Sequence, residues 1–297
     1  MKEKELVIYI NGEYLPRSRA RIDPFDYGWR RGWVVYDAWV VRKGYIMALD
    51  GHTERLWNSL RAAKIEMQMS KQEAKDALLE TVRRNGLKDA EVWMYVSYGV
   101  PIEKGYNMPR AKPTVMVIAV PMPGFVSEDA EKKGVRIIIS SVRSLPSQCL
   151  DPRLKHVNRL HMNLADVEAK AANVDAPILL DINGYVTENN FSNVFVVKDG
   201  KLYTPTLEGA LGGITRGFFF QIARREGIPA SETRLTPYDL YNADEVFLSG
   251  SSSGALPVVE IGGRKIGDGK PGPLTLKLNK IYWDSFENPE FGTPVYP

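Results

Sequence analysis

The chain has 297 residues, 44% hydrophobic and 25% charged, with 39 Lys and Arg against 36 Asp and Glu for a net charge of +3. That length suits one large domain or two ordinary ones, with enough core to need no metal or disulfide staple. The near balance of charge gives no electrostatic case for a nucleic-acid partner. A single cysteine, Cys149, and three histidines, His52, His156 and His161, exclude a disulfide framework and any Cys-rich metal centre. The apolar run after Met1 is too short for a secretory leader, and no stretch nears the roughly 20 apolar residues of a membrane span. The expectation is a cytoplasmic protein with no membrane partner.

In chain order, Leu6 to Ile10 is an apolar run closed by Asn11-Gly12, a hairpin signal. Tyr36 to Val41 and Tyr45 to Leu49 flank Arg42-Lys43-Gly44, a second hairpin. From His52 the spacing of Leu56, Leu60 and Ala63 turns helical. Ser70 and Glu73 form a capping box ahead of Ala74, Leu78 and Val82, and Asn85-Gly86 closes that helix. Ala90 to Tyr98 and Thr114 to Val120 return to strand composition.

Pro121-Met122-Pro123-Gly124 reads as a break, because prolines disfavour both helix and central strand. It suggests an N-terminal domain over 1–120, a linker over 121–134 and a C-terminal domain over 135–297. Beyond it, Val135 to Val142 reads as a strand, Leu160 to Ala172 as a helix and Ile178 to Asp181 as a strand turned by Asn183-Gly184. Asn193 to Val197 pairs with Lys201 to Tyr203 across Asp199-Gly200, and Ile214 to Glu226 is a helix after Gly212-Gly213. Glu245 to Leu248 runs into a Ser-Gly-rich loop, and Leu274 to Phe286 is the last helix. Strands and helices mix without regular alternation, so the fold class is α+β in both halves.

Four pieces carry complementary chemistry. Lys155 has cationic neighbours Arg153, His156 and Arg159, which would make its amine a better nucleophile, although a solvated basic stretch reads the same way. Glu188 follows the Asn183-Gly184 turn and could hold a positive ring nitrogen, or be an ordinary surface carboxylate. Gly212-Gly213-Ile214-Thr215-Arg216 opens a helix whose N-terminal N–H groups suit a phosphate. Ser249 to Gly254 offers small residues and hydroxyls for an anion, or a flexible turn. His156 and His161 are five apart, not the four that would put both on one helical face, so no metal site is expected. A nucleophilic lysine, a carboxylate and two phosphate cradles are together what a pyridoxal 5'-phosphate site needs.

From Tyr9 to about Asp284 the sequence resembles the class IV aminotransferases of pyridoxal-phosphate fold type IV. The resemblance rests on Asp181-Ile-Asn-Gly-Tyr-Val-Thr-Glu188, Val197-Lys-Asp-Gly-Lys-Leu-Tyr-Thr-Pro205, Gly213-Ile-Thr-Arg216 and Asp244-Glu-Val-Phe-Leu-Ser-Gly250. It implies a two-domain fold with the smaller domain first, a pyridoxal 5'-phosphate cofactor and at least a homodimer. It implies that Lys155 bonds the cofactor, that Glu188 partners the ring nitrogen and that Arg55, Ile214, Thr215 and Ser251 hold the phosphate. Ser252 would face substrate through its backbone N–H. Two departures stand out: Asn189, Asn190 and Phe191 follow the glutamate, where the family commonly has small residues, and Leu160 stands where branched-chain enzymes carry a tyrosine.

Tyr36-Asp37, Glu91-Val-Trp-Met94 and Phe291-Gly-Thr-Pro-Val295 resemble segments of (R)-selective amine transaminases. The substrate expectation is therefore an (R)-amine donor with a keto acid such as pyruvate or 2-oxoglutarate. Branched-chain or D-amino acid transamination is the alternative, followed by an aminodeoxychorismate lyase or a cofactor-binding protein without turnover. Tyr36, Trp29, Trp33, Trp39 and Trp93 are candidates for an apolar pocket. Arg31 and Arg110 are candidates for pairing with a substrate carboxylate.

Overall fold

The computed structural model describes residues 5–103, 110–122 and 128–296. The chain forms two compact units, each assembled from separate stretches. Met1–Pro123, Leu154–Asn158 and Phe286–Pro297 make the first, and Gly124–Arg153 and Arg159–Ser285 the second.

The first unit contains β1 (Val7–Ile10), β2 (Glu13–Pro16), α1 (Tyr27–Arg31), β3 (Val34–Arg42), β4 (Tyr45–Met47), α2 (Leu49–Ala62), α3 (Lys71–Asn85), β5 (Ala90–Ser97), β6 (Val100–Pro101), β7 (Ala111–Lys112) and β8 (Val115–Pro121). The second contains α4 (Glu128–Lys133), β9 (Val135–Arg143), α5 (Leu160–Ala171), β10 (Ala176–Leu180), β11 (Asn193–Lys198), β12 (Lys201–Thr204), α6 (Ile214–Arg225), β13 (Ala230–Glu232), α7 (Pro237–Tyr241), β14 (Glu245–Gly250), β15 (Gly254–Ile261), β16 (Arg264–Lys265) and α8 (Pro273–Asp284). The chain then returns to the first unit with β17 (Gly292–Pro294).

Seven antiparallel strands build the first sheet, in the order β17-β4-β3-β5-β8-β1-β2. Side chains alternate along a strand. Val35, Trp39 and Val41 of β3, with Val92, Met94 and Val96 of β5, therefore share one face, which meets Leu56 and Leu60 of α2 and Leu78 and Val82 of α3 in one core. Fully burying such a side chain stabilises by about 1.5–3 kcal/mol. Helix α3 begins at the expected capping box, Ser70 with Glu73, and ends at Gly86 in the left-handed region. The Asn11-Gly12 and Asp199-Gly200 hairpins also form, with all four residues at positive φ, the backbone that a tight two-residue turn requires.

The second sheet is mixed, in the order β10-β9-β15-β14-β11-β12-β13, with β16 on β15. β9 runs parallel to β10 and β15, and β12 parallel to β13. Helix α5 packs on β9 and β10, and α8 on β15 and β14. Val194, Val196, Val246, Leu248 and Val258 form the heart of its core.

Two features depart from the sequence expectation. The eight-residue β15, central in its sheet, was not foreseen, because Pro257 in its middle argues against a central strand. A contiguous 135–297 domain is not what forms either: β17 pairs with β4, setting Gly292 opposite Met47 and Thr293 opposite Ile46, and Leu154–Asn158 also sits in the first unit. A three-residue Gly-Thr-Pro strand carries no local signal of its partner. Among the described residues no helix is long and apolar enough to cross a membrane.

Candidate active site

Lys155 is placed by strand pairing. β4 pairs with β3 only at Val41 and Arg42, which leaves the same edge of β3 open at Val34 to Tyr36. Residues 155–157 take that edge. Tyr36 N donates to Lys155 O at 3.0 Å, Val157 N donates to Val34 O at 3.3 Å, and Val35 bridges His156. Lys155 N donates in turn to Ser59 Oγ on α2 at 3.2 Å. The side chain is then directed over Tyr36, with Nζ 4.6 Å from the ring centroid, where the π-face attracts a cation. Tyr36 stacks on its cross-strand partner Tyr95 at 5.3 Å. Burial, then Tyr36 and Glu91, push the Tyr95 phenol up to about 12, so it stays neutral.

On the opposite face of β3 is a buried charge cluster. Asp37 Oδ2 accepts from Arg55 Nε at 2.8 Å, and Oδ1 accepts from Arg55 Nη2 at 2.8 Å and lies 2.7 Å from His52 Nδ1. His52 and Arg55 are three apart on α2, so one helical face presents both. Burial alone would raise the Asp37 carboxyl, but Arg55 and His52 more than offset it and hold it well below the usual carboxylate range. Burial pushes His52 below its ordinary value despite Asp37, so it is neutral at pH 7. The short contact to a carboxylate places its proton on Nδ1, and the longer 3.3 Å approach of Arg55 Nη2 to Nδ1 is then no hydrogen bond. Tyr36-Asp37, read in the sequence as a substrate fingerprint, is thus two residues on opposite faces. Asp37 faces Arg55 on the core side of the sheet.

The second unit carries the other candidates. Glu188 is buried, and its Oε2 accepts from Asn193 Nδ2 at 3.1 Å and Leu211 N at 2.9 Å. Asn193 Nδ2 also donates to Leu211 O at 2.9 Å, tying the glutamate to the loop that enters α6. A Cβ on Gly213 would lie 2.1 Å from Asn193 Oδ1, so only glycine fits at that N-cap. Helix α6 has no side-chain cap, and Ile214 and Thr215 open it with first-turn N–H groups directed outward. Thr215 Oγ1 is 3.2 Å from Ser251 Oγ. Tyr282 of α8 donates to Ser251 O at 2.7 Å, and Asn279 Oδ1 accepts from Ala255 N at 3.0 Å, so α8 anchors the serine loop. Ser249 Oγ and Ser253 Oγ, both buried, have no hydrogen-bond partner among the described residues.

The remaining candidates scatter. Arg31 is exposed at the end of α1, its guanidinium 4.4 Å over Tyr27. Arg110 is 80% exposed and lies 3.7 Å from Glu103; most of the loop expected to swing it lies outside the described residues. Ser252 is half-buried. Trp39 is not a pocket residue but core, Trp33 stacks on Tyr98, and Trp29 is exposed. Asn189 and Asn190 turn inward: Asn189 Nδ2 donates to Pro177 O at 2.8 Å, and Asn190 meets Arg159 and Asp166, while Phe191 is exposed. The bulk after Glu188 is therefore taken up in the unit's own hydrogen bonding. Sequence reasoning missed His52, Asn193 and Tyr282, though the His52/Arg55 spacing was available as a signal.

The family model for amino-transferase class IV matches residues 34–261. The chain belongs to the class IV aminotransferases. A Methanocaldococcus jannaschii protein, provisionally named a branched-chain-amino-acid aminotransferase, is 38% identical over 292 residues, 97% of this chain and 99% of that protein. A D-alanine aminotransferase of Bacillus licheniformis is 32% identical over 280 residues, 94% of this chain and 96% of that protein. The T.th. branched-chain amino acid aminotransferase, solved with pyridoxamine 5'-phosphate, superposes with a TM-score of 0.93 at 31% identity, covering 99% of each chain. This class IV aminotransferase is a pyridoxal-phosphate-dependent transaminase, and its α+β fold is that of the family. Its residues fit the cofactor: a buried carboxylate, a helix N-terminus with no side-chain cap, and two buried hydroxyls without partners among the described residues, Ser249 and Ser253, flanking Ser251 in sequence, suit a basic ring nitrogen and a phosphate. No group of three or more potential metal ligands occurs among the described residues.

Proposed function

We propose that this aminotransferase moves the amino group of branched-chain amino acids to a 2-keto acid. One observation carries the substrate: the amine of Lys155 lies over an aromatic surface, Tyr36 stacked on Tyr95, which suits an aliphatic side chain. The likenesses support the same reading. The T.th. enzyme has also been solved with 4-methylvaleric acid, at 32% identity. They favour amino acid donors over the (R)-amine donor suggested by Tyr36-Asp37, and the partnering of Asp37 with Arg55 removes much of that motif's bearing on substrate. The 32% identity to a D-alanine aminotransferase keeps D-amino acids as a second reading.

Bound pyridoxal 5'-phosphate would supply the carbonyl that captures the amino group and the ring that takes up the electron pair left when the substrate Cα loses its proton. Lys155 would hold the cofactor, and its Nζ is the group that would take and return a proton at the substrate Cα. Glu188, held by Asn193 and Leu211 N, would keep a proton on the ring nitrogen. Arg55, Ile214 N, Thr215 and Ser251 would hold the phosphate, as the family resemblance assigns them. Ser252 N, Arg31 and Arg110 are assigned to the substrate carboxylate, and Tyr36 to its side chain.

The test is a half-reaction followed by cofactor absorbance, with L-leucine, D-alanine and (R)-1-phenylethylamine as separate donors. L-leucine is expected to convert the cofactor fastest, by about tenfold or more. D-alanine leading would install the second reading, and (R)-1-phenylethylamine leading would overturn both. Borohydride reduction followed by peptide mapping should mark Lys155, and a label on another lysine would remove its assignment.

A further inference from the structure

Asp37 is a costly residue to keep where it is. Its carboxylate has no exposed surface, and a buried charge is tolerated only when paired and fully hydrogen-bonded. An apolar side chain would serve the core at least as well. What the carboxylate does instead is grip. Arg55 Nε and Nη2 each donate to a different oxygen of Asp37 at 2.8 Å, the fork geometry that fixes the plane of a guanidinium. His52 donates from behind to Oδ1 at 2.7 Å, and Ala38 N donates to the same oxygen at 2.7 Å, so the carboxylate cannot rotate away. Exposure grades outward through the cluster, from none at Asp37 and 2% at His52 to 12% at Arg55. The counter-charge is sealed while the cation reaches the boundary.

The geometry points to Asp37, backed by His52, as a positioning residue that locks the Arg55 guanidinium in one orientation for an oxyanion, the cofactor's phosphate. This rests on the assignment of Arg55 to the phosphate made above. The competing account is an ion pair that merely fastens α2 to β3. The two accounts differ in what happens to the ligand. A positioning residue acts only through Arg55, so its loss should weaken phosphate binding and should do nothing further once Arg55 is gone.

The experiment titrates pyridoxal 5'-phosphate into the full-length, cofactor-free enzyme by absorbance and records the 31P resonance of the bound phosphate. D37N, nearly the same size, and R55A are each expected to weaken binding by about tenfold or more, and D37N to move the 31P resonance. The D37N/R55A double variant should bind within about twofold of R55A alone. H52A should weaken binding, and H52N, which restores an N–H near the position of Nδ1, should recover it. If D37N binds like the parent while R55A is weakened, or if the double variant is additive, Asp37 is only a structural tie and the proposal falls. If R55A itself binds like the parent, the assignment of Arg55 falls and takes this proposal with it. Should D37N fail to fold, the His52 pair decides: unchanged affinity in H52A overturns the proposal, and loss with recovery in H52N sustains it.

Discussion

His52 is neutral and sealed beside an ionised Asp37, and this arrangement has a pH signature. The folded-state pKa of His52 lies below the ordinary 6.5, so on acidification the unfolded chain takes up a proton first. Stability from this residue is therefore whole above pH 6.5 and declines below it, with a slope of at most about 1.4 kcal/mol per pH unit. Asp37 has the opposite chemistry but the same sign. Its folded pKa is depressed, so its contribution is whole above the ordinary 3.8 and drains away only below that. The His52 window opens at pH 6.5 and the Asp37 window only below 3.8, so above pH 5 the loss comes from His52 and not from Asp37. Urea unfolding of the parent between pH 5 and pH 8 should show stability falling on the acid side, and H52N should flatten that fall; an equally steep H52N profile would mean His52 is not the titrating group. Lys155 and Glu188 are assigned through the family resemblance, because each taken alone reads equally as an ordinary surface charge. Asp37 was visible only as a letter in a substrate fingerprint, since a strand's alternation reports which face a residue takes but not what waits there.

At the scale of elements, periodicity and caps were enough to find α3, α5, α6 and α8 and the main hairpins, because those signals are local. The segment that carries Lys155 is different. Residues 155–157 have no alternating pattern, and they become strand-like only because β4 covers β3 at Val41 and Arg42 and leaves the edge beside Val34 to Tyr36 open. Exposed edges invite pairing, and here the pairing presents Lys155, the lysine proposed to hold the cofactor. The bond from Val157 N to Val34 O should therefore matter to the chemistry although Val157 touches none of it. V157P removes that donor and should lower the transamination rate by about tenfold, the equivalent of some 1.4 kcal/mol, whereas V157A keeps the N–H and should stay within about twofold. The check is a steady-state rate with cofactor occupancy measured in parallel. Equal rates for the two variants would show that the edge pairing does not position Lys155.

For the molecule as a whole, the first unit's long stretch ends at Pro123, and neither unit is one contiguous stretch of sequence. The first unit recovers its last strand from the C-terminal tail, the segment Phe291–Val295 that in the sequence looked only like a family signature. The tail is well bound there. Val295 is fully buried in the first unit's core, Val295 N donates to Gly44 O at 2.8 Å, Arg83 Nε donates to Val295 O at 2.6 Å, and Tyr296 Oη donates to Leu87 O at 2.8 Å. Burying Val295 is worth about 1.5–3 kcal/mol and each hydrogen bond about 1 kcal/mol, so removing 291–297 from the full chain should destabilise the first unit by roughly 3 kcal/mol or more. The loss should also be local. Amide exchange in the truncated protein should quicken at Tyr45 to Ala48, which lose β17 as a neighbour, and should stay slow at Val246 and Leu248 in the middle of the second sheet. A contiguous 135–297 domain predicts the reverse, with protection lost in the second unit and kept along β4. Exchange resolved by residue distinguishes the two, because the truncation is the same and only the sheet that feels it differs.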